Sequence, residues 1–484
     1  MTSSQTAVFR RLVRDHMAAA PPCLGDGAAA TEAVRRLRRD RASAATVLDP
    51  AGALVGIVTE QDVVRRYEGG SQPVTAIMTS PVLTVPEHDQ LYRAVGFMRR
   101  HRLRHMPVVD DARAVVGMLD LHEALAVAAG PIVDDIDRLS REDSLAGLRE
   151  VKAAQVQLAE RLVADGVPAP EIQALIADIN NDIHARVLRL LEAELLAEGK
   201  GPPPVPYACI VMGSGGRRES LLFPDQDHGF ILADYPDARH AEIDPWFIEL
   251  ATRLARSLAE LRFPLCDGGV MATNPLWRKT LPQWRQQAGI WMRGRVPAML
   301  LACEILFDFR PVHGEWTLAD ALRGQITSAA VANRSFQMLM LALGADHRAG
   351  IGLFGRLLTV RGRGVHGGEL DLKLHGTLPL VEAVRLLALA HGVSATGTLE
   401  RLDALQVLGA VGGDDADHLR GAFALLTSLQ LRRQIADYRA GAAIGNFVDP
   451  RRLSERERGL LKDGLRAINE LRARLRADIT GSLL

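Results

Sequence analysis

Apolar residues along this chain follow two rhythms, and the points where one gives way to the other mark its parts. From Thr31 to Arg39 and from Gln90 to His101, apolar and charged positions recur at helical spacing. Ala44–Leu48 and Met106–Val109 read as short buried strands, each followed by a turn (Asp49-Pro50-Ala51-Gly52; Asp110-Asp111), a second strand and a closing helix. The two sets are one pattern written twice: residues 13–68 align with residues 74–129 at a constant offset of 61 and without a gap, pairing Val13 with Val74, Met17 with Met78, Ala33-Val34 with Ala94-Val95 and Gly56 with Gly117.

Beyond the repeat the helical rhythm takes over from about Asp134 to Glu198, with Leu158, Leu162, Ile172, Ile176, Ile179, Ile183, Val187 and Leu191 on one stripe. Asn180, Asn181 and Asp182 interrupt it and are expected on its wet face, with contact to a ligand as the other reading. The stiff segment Gly199-Lys200-Gly201-Pro202-Pro203-Pro204 ends it. Tyr207–Met212 then reads as a buried strand, Gly213-Ser214 as its exit turn, and Gly229–Ala233 as a second strand. From about Ala330 onward the pattern is helical again, and Ser454 with Glu457 three residues on predicts a capped helix start.

The segment between the two central strands, Gly213-Ser214-Gly215-Gly216-Arg217-Arg218-Glu219 through Asp225-Gln226-Asp227-His228, carries the clearest chemistry. Gly213 lets the backbone approach an anion closely, and Ser214 adds a hydroxyl donor. Asp225 and Asp227, two apart in extended backbone, project to the same side and can share a hard cation, Mg²⁺ or Mn²⁺. Arg217 and Arg218 offer guanidiniums to phosphate oxygens. Phosphate donors, backbone N–H groups and a carboxylate pair together suit a nucleoside triphosphate reacting at its α-phosphate.

Gly-Ser, a spacer and Asp-x-Asp resemble the signature of the nucleotidyltransferase fold shared with DNA polymerase β. The wider segment looks like the bacterial group related to the PII-protein uridylyltransferases. That resemblance implies that Gly213 and Ser214 position nucleotide phosphates, that Asp225 and Asp227 bind metal, and that UTP and a tyrosyl hydroxyl are the first guess for donor and acceptor. Unlike those enzymes, the chain shows no phosphohydrolase domain with His-Asp pairs and no recognisable small-molecule-sensing tail, so the acceptor is a protein or a small molecule. The superfamily also implies a third carboxylate, for which Asp267 and Asp308 are the candidates, each with a capping or packing role as the alternative. The last helical part resembles the domain that accompanies this core, where Asp371, Lys373, Thr398 and Arg401 either face the active site or serve salt-bridged packing.

The repeated front resembles the CBS-domain family, in which two copies form a Bateman module that binds adenine nucleotides. In Gly56-Ile57-Val58-Thr59-Glu60-Gln61-Asp62 the resemblance assigns phosphate contact to Thr59 and ribose contact to Asp62. A plain N-cap at Thr59 is the alternative. The second copy has Asp120 and Glu123 at the matching positions, and an aspartate there would repel phosphate. Bateman modules also imply a homodimer.

Bulk properties narrow the rest. At 484 residues the chain exceeds one core, and about three domains are expected. Lys+Arg and Asp+Glu are both 58, which removes any bulk electrostatic case for nucleic acid or an anionic membrane. Four scattered cysteines argue against a zinc site or a disulfide framework, and the absence of a long apolar run argues against a membrane span, so a cytoplasmic protein is expected. The fold class is therefore multidomain α/β: a CBS pair at 1–130, a helical connector at 131–200, a mixed-sheet nucleotidyltransferase core at 201–325 and a C-terminal α-helical domain at 326–484. The expected activity is Mg²⁺-dependent nucleotidyl transfer biased by adenine nucleotide. The alternative is a nucleotide sensor that signals by contact and transfers nothing.

Overall fold

The computed structural model describes residues 12–480 apart from 41, 68, 70, 71, 90, 102, 122, 125–143 and 363. It divides into two units, Met1–Arg141 and Glu142–Leu484.

The first unit bears out the repeat as far as β7, while most of the second copy's expected closing helix lies outside the described residues. Its first half holds β1 (Ala18–Ala19), β2 (Cys23–Gly25), α1 (Ala30–Asp40), β3 (Ala44–Leu48), β4 (Leu54–Thr59) and α2 (Glu60–Arg66). Its second half holds α3 (Val74–Ile77), β5 (Val85–Pro86), α4 (Leu91–Arg100), β6 (His105–Val109) and β7 (Val115–Asp120). One sheet runs β2-β3-β4 and the other β1-β7-β6-β5. The lead-in segments are exchanged between the halves: β1 pairs with β7, and the Thr79 backbone bonds Ile57 beside β4. Val13 sits in the second apolar core, while Val74 and Ile77 sit in the first. Glycine permits the exchange, because a Cβ on Gly56 would lie 2.2 Å from Met78 Sδ and one on Gly117 would lie 2.4 Å from Met17 Sδ.

The second unit opens with two long helices, α5 (Leu145–Ala164) and α6 (Ala169–Ala197). The central part follows: β8 (Tyr207–Val211), the short α7 (Gly213–Arg217), β9 (His228–Leu232), α8 (His240–Glu260), β10 (Arg278–Thr280), α9 (Leu281–Arg293), α10 (Pro297–Phe307) and β11 (Arg310–Gly314). Its sheet runs β10-β9-β8-β11 and is mixed, with β9–β10 parallel and the other pairs antiparallel. The remainder is helical: α11 (Trp316–Val331), α12 (Arg334–Leu343), α13 (Leu378–Ala390), α14 (Thr398–Val407), α15 (Gly413–Arg439) and α16 (Glu455–Thr480), with a two-residue ladder, β12 (Leu370–Asp371) and β13 (Phe447–Val448). Ser454 and Glu457 form the expected capping box.

Two sequence-based divisions differ from this arrangement. The helices read as a connector pack inside the second unit, α6 lying against α8 and α15. The central and C-terminal parts share one apolar core, which runs from Ile210 and Ile231 on the sheet through Phe307 to Leu380 and Leu465. A shared core means that the two parts are stabilised together.

Candidate active site

The site begins with the pairing of β8 and β9. Antiparallel register sets Val211 opposite His228, and the Met212 N–H donates to Asp227 O at 2.8 Å, which brings the exit turn of one strand beside the acid pair before the other. Gly213 takes φ +55°, and a Cβ there would lie 2.8 Å from Asp227 Oδ2. Only glycine therefore satisfies both the backbone angle and the closeness of the carboxylate.

Alternation along the acid segment does the rest. Gln226 is fully buried and points inward, where its Nε2 donates to Ala255 O at 3.0 Å and Phe263 O at 2.9 Å. With Gln226 anchored in the core, Asp225 and Asp227 point the other way, and both line one cavity with Ser214, Gly215, Ser220, Asn181 and His184.

One wall of the cavity is α6, where a wet face was expected and ligand contact was the other reading. Contrary to that expectation, Asn180 and Asn181 are buried. Asn181 Nδ2 donates to Gly215 O at 3.3 Å and so steadies the turn. Asn180 accepts from Lys152 Nζ at 2.8 Å, and that ammonium also reaches Gln155 Oε1 and the backbone oxygen of Leu222 in the acid loop. Among the described residues Lys152 has no carboxylate partner, and it lies 4.0 Å from the centre of the Phe263 ring; burial holds its pKa well below the usual lysine value. His184 Nδ1 bonds Asn180 O at 2.8 Å, and burial pulls its pKa down to about 4. The signal for this wall was present: polar residues interrupt an otherwise apolar helical stripe.

Asp227 is the perturbed acid. Burial raises its pKa to about 6, with the Asp225 charge adding to the rise, while a hydrogen bond from Cys266 and the charges of Lys373 and Arg217 oppose it. A carboxylate held in a tight, charged cavity is a group for which a divalent cation compensates.

Four other predicted positions fall elsewhere. Arg217 does not face the cavity: its Nε bonds Glu219 at 2.6 Å and its Nη1 bonds Asp308 at 2.8 Å. Arg218 is held by Asp178 of α6, with Nε to Oδ1 at 2.7 Å. Both guanidiniums are thus spent on internal carboxylates rather than held ready for phosphate, because each follows a turn that must be tied to its surroundings. Asp267 lies on an exposed turn, outside the cavity lining.

Asp308, the second candidate for a third carboxylate, is fully buried at the end of α10 and ringed by Arg217, Arg385 at 2.6 Å and Arg401 at 2.7 Å. Burial alone would raise its pKa; the guanidiniums of Arg385, Arg401 and Arg217 outweigh that and hold it well below the usual carboxylate range. It is a packing knot, not a metal ligand. Among the described residues no group of three His, Cys, Asp or Glu side chains is placed to hold a metal ion.

The same knot ties the glycine turn to the C-terminal helices. Thr396 Oγ1 donates to Gly216 O at 3.0 Å, and the Thr398 N–H donates to Glu219 Oε1 at 2.5 Å at the start of α14. A Cβ on Gly216 would lie 1.8 Å from Asp308 O, so α7 sits directly on the residue that the three arginines surround. Of the C-terminal candidates, Arg401 and Thr398 therefore serve packing. Asp371 caps the backbone N–H groups of Lys373 and Leu374, and Lys373 is exposed with its charge felt at Asp227.

In the first unit, Thr59 and Asp62 face each other. The Asp62 N–H donates to Thr59 Oγ1 at 3.2 Å, Thr59 Oγ1 and N–H both donate to Asp62 Oδ2, and Thr79 Oγ1 reaches Asp62 Oδ1. The capping alternative is therefore realised in this structure. In the second copy Asp120 accepts from the Glu123 N–H and lies 3.3 Å from His105 Nε2, which also meets Ser43 Oγ at 2.7 Å.

Comparison with known proteins agrees with this division. Residues 13–69 and 74–130 each match the CBS domain, residues 153–298 match the family described as "Putative nucleotidyltransferase DUF294", and residues 334–479 match "Putative nucleotidyltransferase substrate binding domain". A homoserine O-acetyltransferase of Methanocorpusculum labreanum is 34% identical over 107 residues, 22% of this chain and 22% of that protein. An inosine-5'-monophosphate dehydrogenase of Mycobacterium tuberculosis is 33% identical over 96 residues, 19% and 18% of the two chains. The chain thus spans about a fifth of the length of the curated relatives it matches. Among solved structures, the CBS domain pair of protein MJ0100, in complex with 5'-methylthioadenosine and S-adenosyl-L-methionine, is 26% identical, with 25% of this chain and 98% of that one covered at a TM-score of 0.24. A CBS domain protein from Pyrobaculum aerophilum complexed with AMP is 24% identical, with 26% and 98% covered at a TM-score of 0.24. The chain joins a CBS-domain pair to a domain of the nucleotidyltransferase family and that family's C-terminal helical companion.

Proposed function

We propose that the second unit transfers a nucleoside monophosphate from a nucleoside triphosphate to a hydroxyl of a protein or small molecule. The observation that supports it is the convergence of Asp225 and Asp227 on one cavity with Ser214 and the Gly215 backbone. The donor set suits a hard divalent cation, since two carboxylates share the cavity and Asp227 is an acid that burial alone would rather keep protonated. Asp225 and Asp227 would hold Mg²⁺ or Mn²⁺, which supplies neutralisation of the charge that grows at the α-phosphate. The chain's own parts do the rest: the turn at 213–215 and the Ser214 hydroxyl hold phosphate oxygens, and α6 closes the cavity against water. The acceptor oxygen bonds to the α-phosphorus, the bond from that phosphorus to the β-phosphate oxygen breaks, the hydroxyl proton is released, and pyrophosphate leaves. A UTP donor and a tyrosyl acceptor remain the first choice by resemblance to the PII uridylyltransferases.

The test is incubation of the full chain with Mg²⁺, cell extract and each α-labelled nucleoside triphosphate. Label transfer that disappears in Asp225→Ala supports the reading; triphosphate binding with no pyrophosphate release overturns it. That second outcome is the non-catalytic sensor, which the lack of a third ligating carboxylate among the described residues favours.

The same proposal gives the CBS pair an adenine nucleotide as regulatory ligand, in a cytoplasmic homodimer. Asp62 would exchange its bonds to Thr59 for ribose hydroxyls, leaving Thr59 to donate to phosphate. Calorimetry with AMP, ADP and ATP tests this: binding weakened in Asp62→Ala is the expected result, and unchanged affinity removes the assignment.

A further inference from the structure

Two cations bear on Asp227, Arg217 and Lys373, and they differ in what else they hold. Arg217 is neutralised by Glu219 and Asp308 and is enclosed with them. Lys373 is exposed, and its ammonium makes no hydrogen bond or ion pair among the described residues. It belongs to the C-terminal helical part, on a single π turn, Lys373–Thr377, inserted just before α13. Single π turns are frequent at functional sites.

The placement of this turn is built, not incidental. Asp371 Oδ1 accepts from the Lys373 and Leu374 N–H groups at 2.9 and 3.0 Å and so sets the backbone that carries the ammonium. Beneath it lies α15. There, Gln430 Nε2 meets Thr377 Oγ1 at 3.5 Å, and Gln434 Oε1, one helical turn on, accepts from the Leu222 N–H of the acid loop at 3.1 Å. One buried helix therefore holds the lysine turn and the acid loop on successive turns, about 6 Å apart along its axis. Gly376 makes the seat close, since a Cβ there would lie 2.6 Å from Leu426 Cδ2 of the same helix.

We infer that Lys373 is the cation that receives the outer phosphates of the nucleoside triphosphate, a task for which Arg217 and Arg218 are already committed elsewhere. This inference rests on the proposed transferase reading. It makes the C-terminal part contribute to the donor's triphosphate as well as to the acceptor. Exposed, and with its charge felt at Asp227, the ammonium is available to β- and γ-phosphates once the α-phosphate sits by the acid pair.

The experiment measures binding of each ribonucleoside triphosphate, and of the matching monophosphate, to the full chain in Mn²⁺. Only the component lost in Asp227→Asn is scored, which separates this site from the CBS pair. Lys373→Met is expected to weaken the triphosphate by tenfold or more, the usual worth of a hydrogen bond to a charged group, and the monophosphate by less than about twofold. Lys373→Arg should restore most of the difference, and direct Mn²⁺ binding without nucleotide should be unchanged in both variants. Triphosphate affinity in Lys373→Met equal to wild type overturns the inference while leaving the transferase reading in place. No Asp227-dependent triphosphate binding in the wild-type chain overturns both.

Discussion

Replacing Asp308 by asparagine tests the packing knot against the metal-ligand alternative most directly. The substitution keeps the side chain's shape and removes one negative charge from the middle of three buried guanidiniums. Arg217 keeps Glu219 at 2.6 Å, and Arg385 keeps Glu304 at 3.4 Å. Among the described residues Arg401 is left with backbone oxygens of Ala395 and Phe307 and no carboxylate. A buried charge stripped of its partner costs about 3–5 kcal/mol, and the two surviving ion pairs place the expected loss toward the lower end of that range. All five tryptophans lie between 246 and 316, so their fluorescence during urea unfolding reports the second unit. At a slope of about 3 kcal/mol per molar, the midpoint should fall by roughly 1 M. Mn²⁺ binding by the folded variant should match the wild type. A midpoint shifted by less than about 0.3 M, together with lost Mn²⁺ binding, would refute the knot and return Asp308 to the metal.

Three further outcomes follow from the same geometry. Gly213→Ala forces a side chain into the left-handed region against Asp227, so it should cost about 1–2 kcal/mol of stability while abolishing Mn²⁺ binding; retained binding measured by paramagnetic resonance would show that the turn is not where metal and phosphate meet. Asp227→Asn should stabilise the metal-free protein at pH 7.5 by about 2–3 kcal/mol. The reason is that the folded state keeps this proton up to about pH 6 while the unfolded chain releases it near the ordinary aspartate value, so the cost of ionising it grows through that window and is complete above it. Destabilisation of Asp227→Asn in a denaturant titration would contradict the assignment. Burial likewise pulls His184 down to about 4 and His228 to about 3, so the unfolded chain takes up protons first as pH falls below 6.5. Each imidazole should remove about 3 kcal/mol between pH 6.5 and 4, and thermal melts of His184→Gln should show a shallower acid loss than wild type. An identical pH profile would place that imidazole in water.

The legible part of the site was the part written in neighbouring residues. Gly213, Ser214, Asp225 and Asp227 lie within one segment, and strand periodicity places both acids on one side without reference to the rest of the fold. Arg217, Arg218 and Asp308 were misjudged or left open because the partners that hold them, Asp308 for Arg217, Asp178 for Arg218, and Arg385 and Arg401 for Asp308, come from elements that no local pattern brings together. The α6 wall was missed for a related reason. Polar residues at helical spacing usually meet water, and only the packing of α6 over the glycine turn makes Asn180, Asn181 and His184 interior groups.

Order along the chain was enough to establish the doubled front, the two central strands with their turn and acids, and the helical character of the remainder, because hydrophobic period and turn chemistry are local properties. Three things depended on the tertiary fold. The lead-in segments of the repeat are exchanged, so that Met17 packs on Gly117 and Met78 on Gly56. The central and C-terminal parts share one core. Among the cations near the site, Arg217, Arg218, Arg385 and Arg401 are already neutralised, Lys152 is buried among neutral oxygens, and Lys373 is exposed. Whether a cation is spent or available depends on which carboxylates lie within about 4 Å of it, and that distance is set by packing between segments far apart in the chain.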